Sequence, residues 1–164
     1  MAKRSSGATR ALDVLAQLGI DVVVHEYVHD PAVTDFGGEA AHALNVPAER
    51  VFKTLFTEVD GAYVVALVPV SGTLNLKALA AAQGGKRAVL AEAKVAERKT
   101  GYVLGGVSPF GQRALFPTVL DESARAHETI YVSAGRRGLD LEIPPSELVR
   151  VLGAMWAPIA QVSR

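Results

Sequence analysis

The sequence predicts a single α+β domain whose sheet is largely antiparallel or barrel-like, on three observations. Stretches of strand character outnumber stretches of helical character. Tight turns join several neighbouring strands, and Asp60-Gly61 is the strongest short hairpin signal in the chain. The third observation is size. The chain has 164 residues, 49% of them apolar, with no repeat, linker or low-complexity segment. That suffices for one domain spanning 1–164 with a substantial core, and the pattern argues against a doubly wound parallel sheet.

Met1 to Ser6 read as frayed. Thr9 caps a helix through Leu18, with Leu12, Leu15 and Leu18 on one face and Gly19 closing it. The β-branched run Ile20 to Val24 starts a strand directed towards Tyr27 and His29, and His29-Asp30-Pro31 is a turn signal. Gly38 to Leu44 reads as a short helix with Glu39 in its first turn, ended by Pro47. After the hairpin, Ser71-Gly72 breaks the chain, and Asn75 caps an alanine-rich helix through Gln83. Lys86 to Leu90 is a short strand, and Ala91 to Thr100 a helix with basic residues near its end and Gly101 beyond. Leu115 to Leu120 and Thr129 to Ser133 are further strands. Gly135 and Gly138 bracket a turn into Leu139 to Ile143. Pro144-Pro145 sets up a last helix, Ser146 to Leu152, and the apolar tail Met155 to Val162 is able to dock.

The hairpin carries the most informative residue. Val51 to Phe56 reads as a strand buried on both faces, with Val51, Lys53 and Leu55 pointing one way and Phe52, Thr54 and Phe56 the other. A two-residue turn at Asp60-Gly61 sets Lys53 opposite Val68. An ammonium with apolar neighbours along and across its strand must be paired, reach a polar cavity or lose its proton. The competing reading is a stem lying on apolar surface with its head in water.

Other residues exclude more than they assign. Seventeen Lys+Arg balance seventeen Asp+Glu, so bulk charge does not hold long nucleic acid and no DNA partner is expected. Cysteine is absent, which removes disulfides, thiolate zinc sites and a protein thiol nucleophile. No apolar run reaches transmembrane length and no apolar signal region opens the chain, so a cytoplasmic protein without a membrane partner is the expectation. His25, His29, His42 and His127 match no zinc spacing; His25 and His29 fall on one side of an extended strand but about 13 Å apart. No metal and no cofactor are expected. Glu39 and His42 read as helix neighbours. There is no Gly-x-Ser-x-Gly elbow. Gly105 to Gly111 lacks the phosphate-loop pattern, although its glycines let backbone N–H groups approach a ligand. Lys86-Arg87, Arg98-Lys99 and Arg136-Arg137 read as solvated basic pairs, any of which is able to touch a phosphate. Asp140 alternates with Leu139 and Leu141, which puts it on the solvent side of its strand, where it is able to line an open cleft.

Several stretches carry a family resemblance: Arg50-Val51-Phe52-Lys53-Thr54-Leu55, Pro69-Val70, Leu74-Asn75-Leu76-Lys77-Ala78-Leu79, the run from Thr100 through Gly105-Gly106-Val107-Ser108-Pro109 to Gln112, Pro117 to Ser123, and Val132 to Leu139. In this order they resemble the YbaK family of aminoacyl-tRNA deacylases, which edit mischarged prolyl tRNA. The resemblance runs from about Thr9 to the end. It implies a compact α+β fold with a mixed, barrel-like sheet. It implies a functional lysine at Lys53, with Thr54 beside it, and pocket aromatics at Tyr27 and Phe36. It also implies a loop, Gly105, Gly106, Val107, Ser108 and Pro109, that contacts the aminoacyl end, and polar residues Ser133 and Asp140 beside the pocket. Asn75 and Arg137 stand where close relatives often carry aspartate or lysine.

The closest-looking branch removes cysteine wrongly attached to proline tRNA. The resemblance therefore implies the 3′ end of a charged tRNA as substrate, and prolyl-tRNA synthetase as a partner that holds the tRNA body. It also implies that the substrate thiol is its own nucleophile. Three alternatives follow from the same residues: a water-using enzyme selective for alanine, a non-catalytic module that binds aminoacyl esters, and a small-molecule esterase.

Overall fold

The computed structural model describes residues 9–162, and Met1 to Ser6, expected to be frayed, lie outside them. Helix α1 (Arg10–Gln17) begins where Thr9 accepts a hydrogen bond from the Leu12 N–H, and the same hydroxyl donates to the Ala134 carbonyl at 2.5 Å. The cap therefore also ties the helix to a strand. Leu12 and Leu15 of α1 are buried, as the periodicity requires. β1 (Val23–Glu26) is shorter than expected; Ile20 and Val22 are buried in the core but form no strand.

Helix α2 (Phe36–Leu44) starts two residues before Gly38, because the Asp35 carboxylate accepts from the Gly38 N–H and sets the N-terminus there. It ends at Asn45 in the left-handed conformation, ahead of Pro47. A 3-10 turn at Ala48–Arg50 leads into β2 (Phe52–Val59) and β3 (Ala62–Pro69). Asp60 and Gly61 both have positive φ, as a two-residue hairpin turn demands, and Lys53 lies opposite Val68.

The rest of the chain builds around that hairpin. β4 (Gly72–Leu74), α3 (Leu76–Ala82), β5 (Ala88–Leu90), α4 (Ala93–Thr100) and β6 (Thr118–Asp121) follow in order. Then come β7 (Ile130–Arg136), β8 (Leu139–Ile143), α5 (Pro145–Leu152), β9 (Met155–Ala157) and β10 (Ala160–Val162). Three sheets result, with orders β1-β8-β7, β10-β4 and β5-β2-β3-β6-β9. The first two are antiparallel, whereas β6 runs parallel to both β3 and β9. The fold is thus α+β with mixed sheets, and the five-stranded sheet ends at β5 and β9 without closing into a barrel.

Three strands lie where the sequence shows none. Gly72 reads as a breaker, yet β4 starts there because β10 crosses it closely: a Cβ at Gly72 would sit 2.6 Å from the Gln161 carbonyl oxygen. The docked tail supplies β9 and β10. Asp121 anchors it, since its carboxylate accepts from the N–H groups of Ile159 and Ala160 at 2.9 and 2.8 Å.

Two large cores divide the molecule. One joins α1, the apolar face of β1-β8-β7 and Leu148 of α5; the other packs Leu79 and Ala80 of α3 on Val64, Ala66 and Val68. Between them the polar face of β8 meets β2 and α2, which is where the cavity forms.

Candidate active site

The alternation along β8 decides the chemistry of that space. Leu139, Leu141 and Ile143 turn into the core, so Asp140 and Glu142 share the opposite face. That face is covered. Asp140 is only 6% exposed, which corrects the expectation of a solvent-side residue. The simple alternation identified which side Asp140 takes but could not show that β2 and α2 lie over it.

A cavity of about 320 Å³ opens here. Val51 and, from β2, Phe52 to Leu55 form its floor, Lys53 and Thr54 among them, and Tyr27 follows β1 on one side. Thr34 and Asp35, with Phe36, Gly37 and Ala40 of α2, form a second wall. Leu104, Gly105 and Val107 form a third, and Ser133 and Asp140, directly opposed across β7 and β8, complete the lining.

Three polar groups in the cavity lack partners among the described residues. Lys53 is half-buried with no hydrogen bond or ion pair. The Thr54 hydroxyl is buried and unbonded. The Asp140 carboxyl has no hydrogen-bond partner, and burial pushes its pKa up to about 7. Burial, followed by the neighbouring Asp140 charge, pushes the Tyr27 phenol up to about 12, so it remains a donor at neutral pH. Unbonded polar groups around a water-sized or larger space are what a ligand would satisfy.

The loop residues divide. Gly105 and Val107 line the cavity, but Gly106, Ser108 and Pro109 are buried behind it. The Gly106 N–H is already given to the Val103 carbonyl at 2.9 Å. The Ser108 hydroxyl accepts from the Phe110 N–H, and the Ser108 carbonyl accepts from Gln112 Nε2. These three residues shape the loop and do not reach the cavity. Ser133 does line it, and its hydroxyl accepts from the Gly135 N–H at 3.2 Å.

Gly105 is the tightest point. It has φ +84°, and a Cβ there would lie 2.7 Å from the Phe36 ring. Gly105→Ala therefore costs about 1–2 kcal/mol in backbone strain alone and must also push Phe36 off its wall. The expected result is a lower melting temperature together with loss of whatever turnover the cavity supports, measured on one preparation by thermal unfolding and activity assay. A variant with native stability and native turnover overturns this account of the loop.

Two of the histidines, His25 and His29, are held by carboxylates. His25 Nε2 lies 3.1 Å from Glu142, and His29 Nδ1 2.7 Å from Glu39, whose other oxygen accepts from the Asp30 N–H. Glu39 thus reaches His29 across the turn and not His42 along the helix, and it pins the segment that carries Thr34, Asp35 and Phe36. Among the described residues no group of three or more His, Asp or Glu side chains is placed to hold a metal. No described helix is long and apolar enough to cross a membrane.

The aminoacyl-tRNA editing domain model matches residues 30–151, which takes in every cavity residue except Tyr27. The chain belongs to the aminoacyl-tRNA editing domain family. This editing domain is 39% identical over 120 residues to the Enterococcus faecalis (strain ATCC 700802 / V583) protein named "Putative Cys-tRNA(Pro)/Cys-tRNA(Cys) deacylase EbsC", covering 73% of each chain. Its fold superposes with a TM-score of 0.82 on a structure described as "a putative trans-editing enzyme for prolyl tRNA synthetase", at 25% identity over 93% of this chain and 95% of that one. The hypothetical protein APE2540 gives a TM-score of 0.83 at 26% identity, over 93% and 99% of the two chains.

Sequence reasoning missed Thr34, Asp35, Gly37, Ala40 and Leu104 in the wall of the editing domain. Asp35-Phe36-Gly37-Gly38 carried a usable signal, an aspartate able to cap a helix three residues on. Leu104 carried none, because an exposed leucine in a loop is ordinary until its neighbours are known.

Proposed function

We propose that this chain is a trans-acting deacylase that removes cysteine from mischarged Cys-tRNA(Pro), with Cys-tRNA(Cys) as a second substrate. The observation that carries the reading is the unpaired Lys53 in one cavity with the Asp140 carboxyl and the Gly105 loop. The name of the E. faecalis relative supports the choice of cysteine.

An aminoacyl ester offers an α-ammonium, a carbonyl and a side chain. Asp140 is the only carboxylate of β8 that lines the cavity, and we assign it to the α-ammonium. A cation arriving beside it favours the ionised form and offsets the desolvation. Lys53 supplies positive charge to the carbonyl oxygen, joined by N–H donors from the cavity-lining Gly105 and Val107. Tyr27 and Phe36 enclose the small side chain.

The chain has no strong nucleophile of its own: it lacks cysteine, and Ser133 has no base assigned to it. The substrate thiol fills that role. Its sulfur attacks the adjacent carbonyl carbon to form the C–S bond, and the oxyanion is held by Lys53. As the intermediate collapses, the C–O bond to ribose breaks. The proton lost from the thiol ends on the ribose oxygen, so a cysteine thiolactone and uncharged tRNA leave together. Confinement of both reacting atoms in one small residue supplies the proximity. Prolyl-tRNA synthetase is the proposed partner for the tRNA body, because a chain of formal net charge +0 has little bulk attraction for it.

The test is release of Cys, Ala and Ser from the same tRNA(Pro), with products identified by mass. Cysteine is expected to leave fastest, with the thiolactone as first product, and serine slowest. Faster loss of alanine as the free acid replaces this reading with the water-using enzyme. Binding without turnover replaces it with a module that only holds the ester.

A further inference from the structure

Of the three adjacent basic pairs among the described residues, only Arg136-Arg137 borders the cavity, and its two members differ. Arg136 faces the Glu26 carboxylate at 3.8 Å in an exposed pair. Arg137 has no carboxylate partner among the described residues. Its Nε donates to the Leu104 carbonyl at 2.7 Å, and its guanidinium carbon lies 4.7 Å from the centre of the Phe36 ring. Leu104 and Phe36 are both cavity wall. Arg137 is therefore an exposed cation fixed at the cavity's rim by one backbone bond and one ring.

That fixation leaves the two Nη nitrogens unspent. A guanidinium presents five N–H donors in a rigid fork, and anchoring one of them orients the rest. Such a group suits a phosphate, which it bonds through paired charge-assisted contacts. The proposed substrate delivers one. With the ester inside the cavity, the terminal ribose stands at the rim, and the phosphate on its 5′ side is the first anion outside. Lys53 sits on the cavity floor and is assigned to the ester.

We propose that Arg137 binds the phosphate on the 5′ side of the terminal nucleotide of the charged tRNA. This subsite makes the enzyme prefer a nucleotide-linked ester over a free amino-acid ester. The proposal rests on the deacylase reading and extends it to the nucleic acid.

The experiment compares two non-hydrolysable ligands, 3′-deoxy-3′-(alanylamino)adenosine with and without a 5′-phosphate, by isothermal titration calorimetry. The wild-type chain is expected to bind the phosphorylated ligand about tenfold or more tightly. In Arg137→Gln that ratio falls to about one, and Arg137→Lys restores part of it, since a lysine keeps the charge but not the fork. Equal affinities in the wild type, or no binding of either ligand, overturn the proposal. So does a ratio that survives in Arg137→Gln, including the case where both ligands weaken by one factor because the residue merely props Phe36. Failure of the deacylase reading has a different signature: the phosphate ratio holds while charged tRNA is not released.

Discussion

Lys53→Ala is expected to lower kcat/KM for release of cysteine from Cys-tRNA(Pro) by roughly 10²–10³, the loss that follows when one fixed donor to a developing oxyanion is removed. The fold survives this change. Lys53 makes no hydrogen bond or ion pair that the substitution would break, and Phe52 and Phe56 hold the strand from its other face. Lys53→Met separates the two contributions, because it keeps the stem between Val51 and Leu55 and deletes only the charge. Both variants are expected to unfold within a few degrees of the wild type while losing turnover together. If the lysine merely lays its stem on apolar surface, the methionine substitution would be neutral in both measurements. Native turnover in either purified variant removes Lys53 from the mechanism.

Asp140→Asn is expected to stabilise the protein at pH 8 and to leave it unchanged near pH 4. The sign follows from proton binding. The carboxyl titrates near the ordinary value of about 3.9 in the unfolded chain and at about 7 in the folded one. Between those values the native state holds the extra proton, so stability falls as pH rises. It is fully present below about pH 4, is lost progressively up to about pH 7, and is flat above. A shift of about three units corresponds to about 4 kcal/mol at pH 8, which water in the cavity reduces. Denaturant titrations of both proteins at the two pH values measure this, and a difference that does not change with pH defeats it. The same variant is expected to raise KM for charged tRNA, since the amide cannot neutralise an α-ammonium. A carboxyl that costs stability and lacks a hydrogen-bond partner fits a binding role better than a structural one.

Particular residues show what could be read in advance. Lys53 was legible because a charge within an apolar strand contradicts its surroundings, and the Asp60-Gly61 turn by itself sets its register. Caps at Thr9 and Asn75 were legible for the same local reason: each side chain bonds the N–H three residues ahead. Asp140 was half legible, its face correct and its burial missed. Gly106, Ser108 and Pro109 were indistinguishable in sequence from Gly105 and Val107, yet only the latter two reach the cavity.

The amino-acid order alone determined the helices, the central hairpin and its pairing, the absence of any thiol in the chain, and a lysine in need of a partner. Apart from the missing thiol, which is composition, these depend on contacts a few residues apart or across one tight turn. Which faces were covered, the parallel pairing of β3, β6 and β9, the strands of the tail, and the meeting of Lys53, Phe36, Gly105 and Asp140 around one space were decided only by the tertiary structure. Those contacts join segments tens of residues apart, where side-chain periodicity specifies a face but carries no information about what will lie against it.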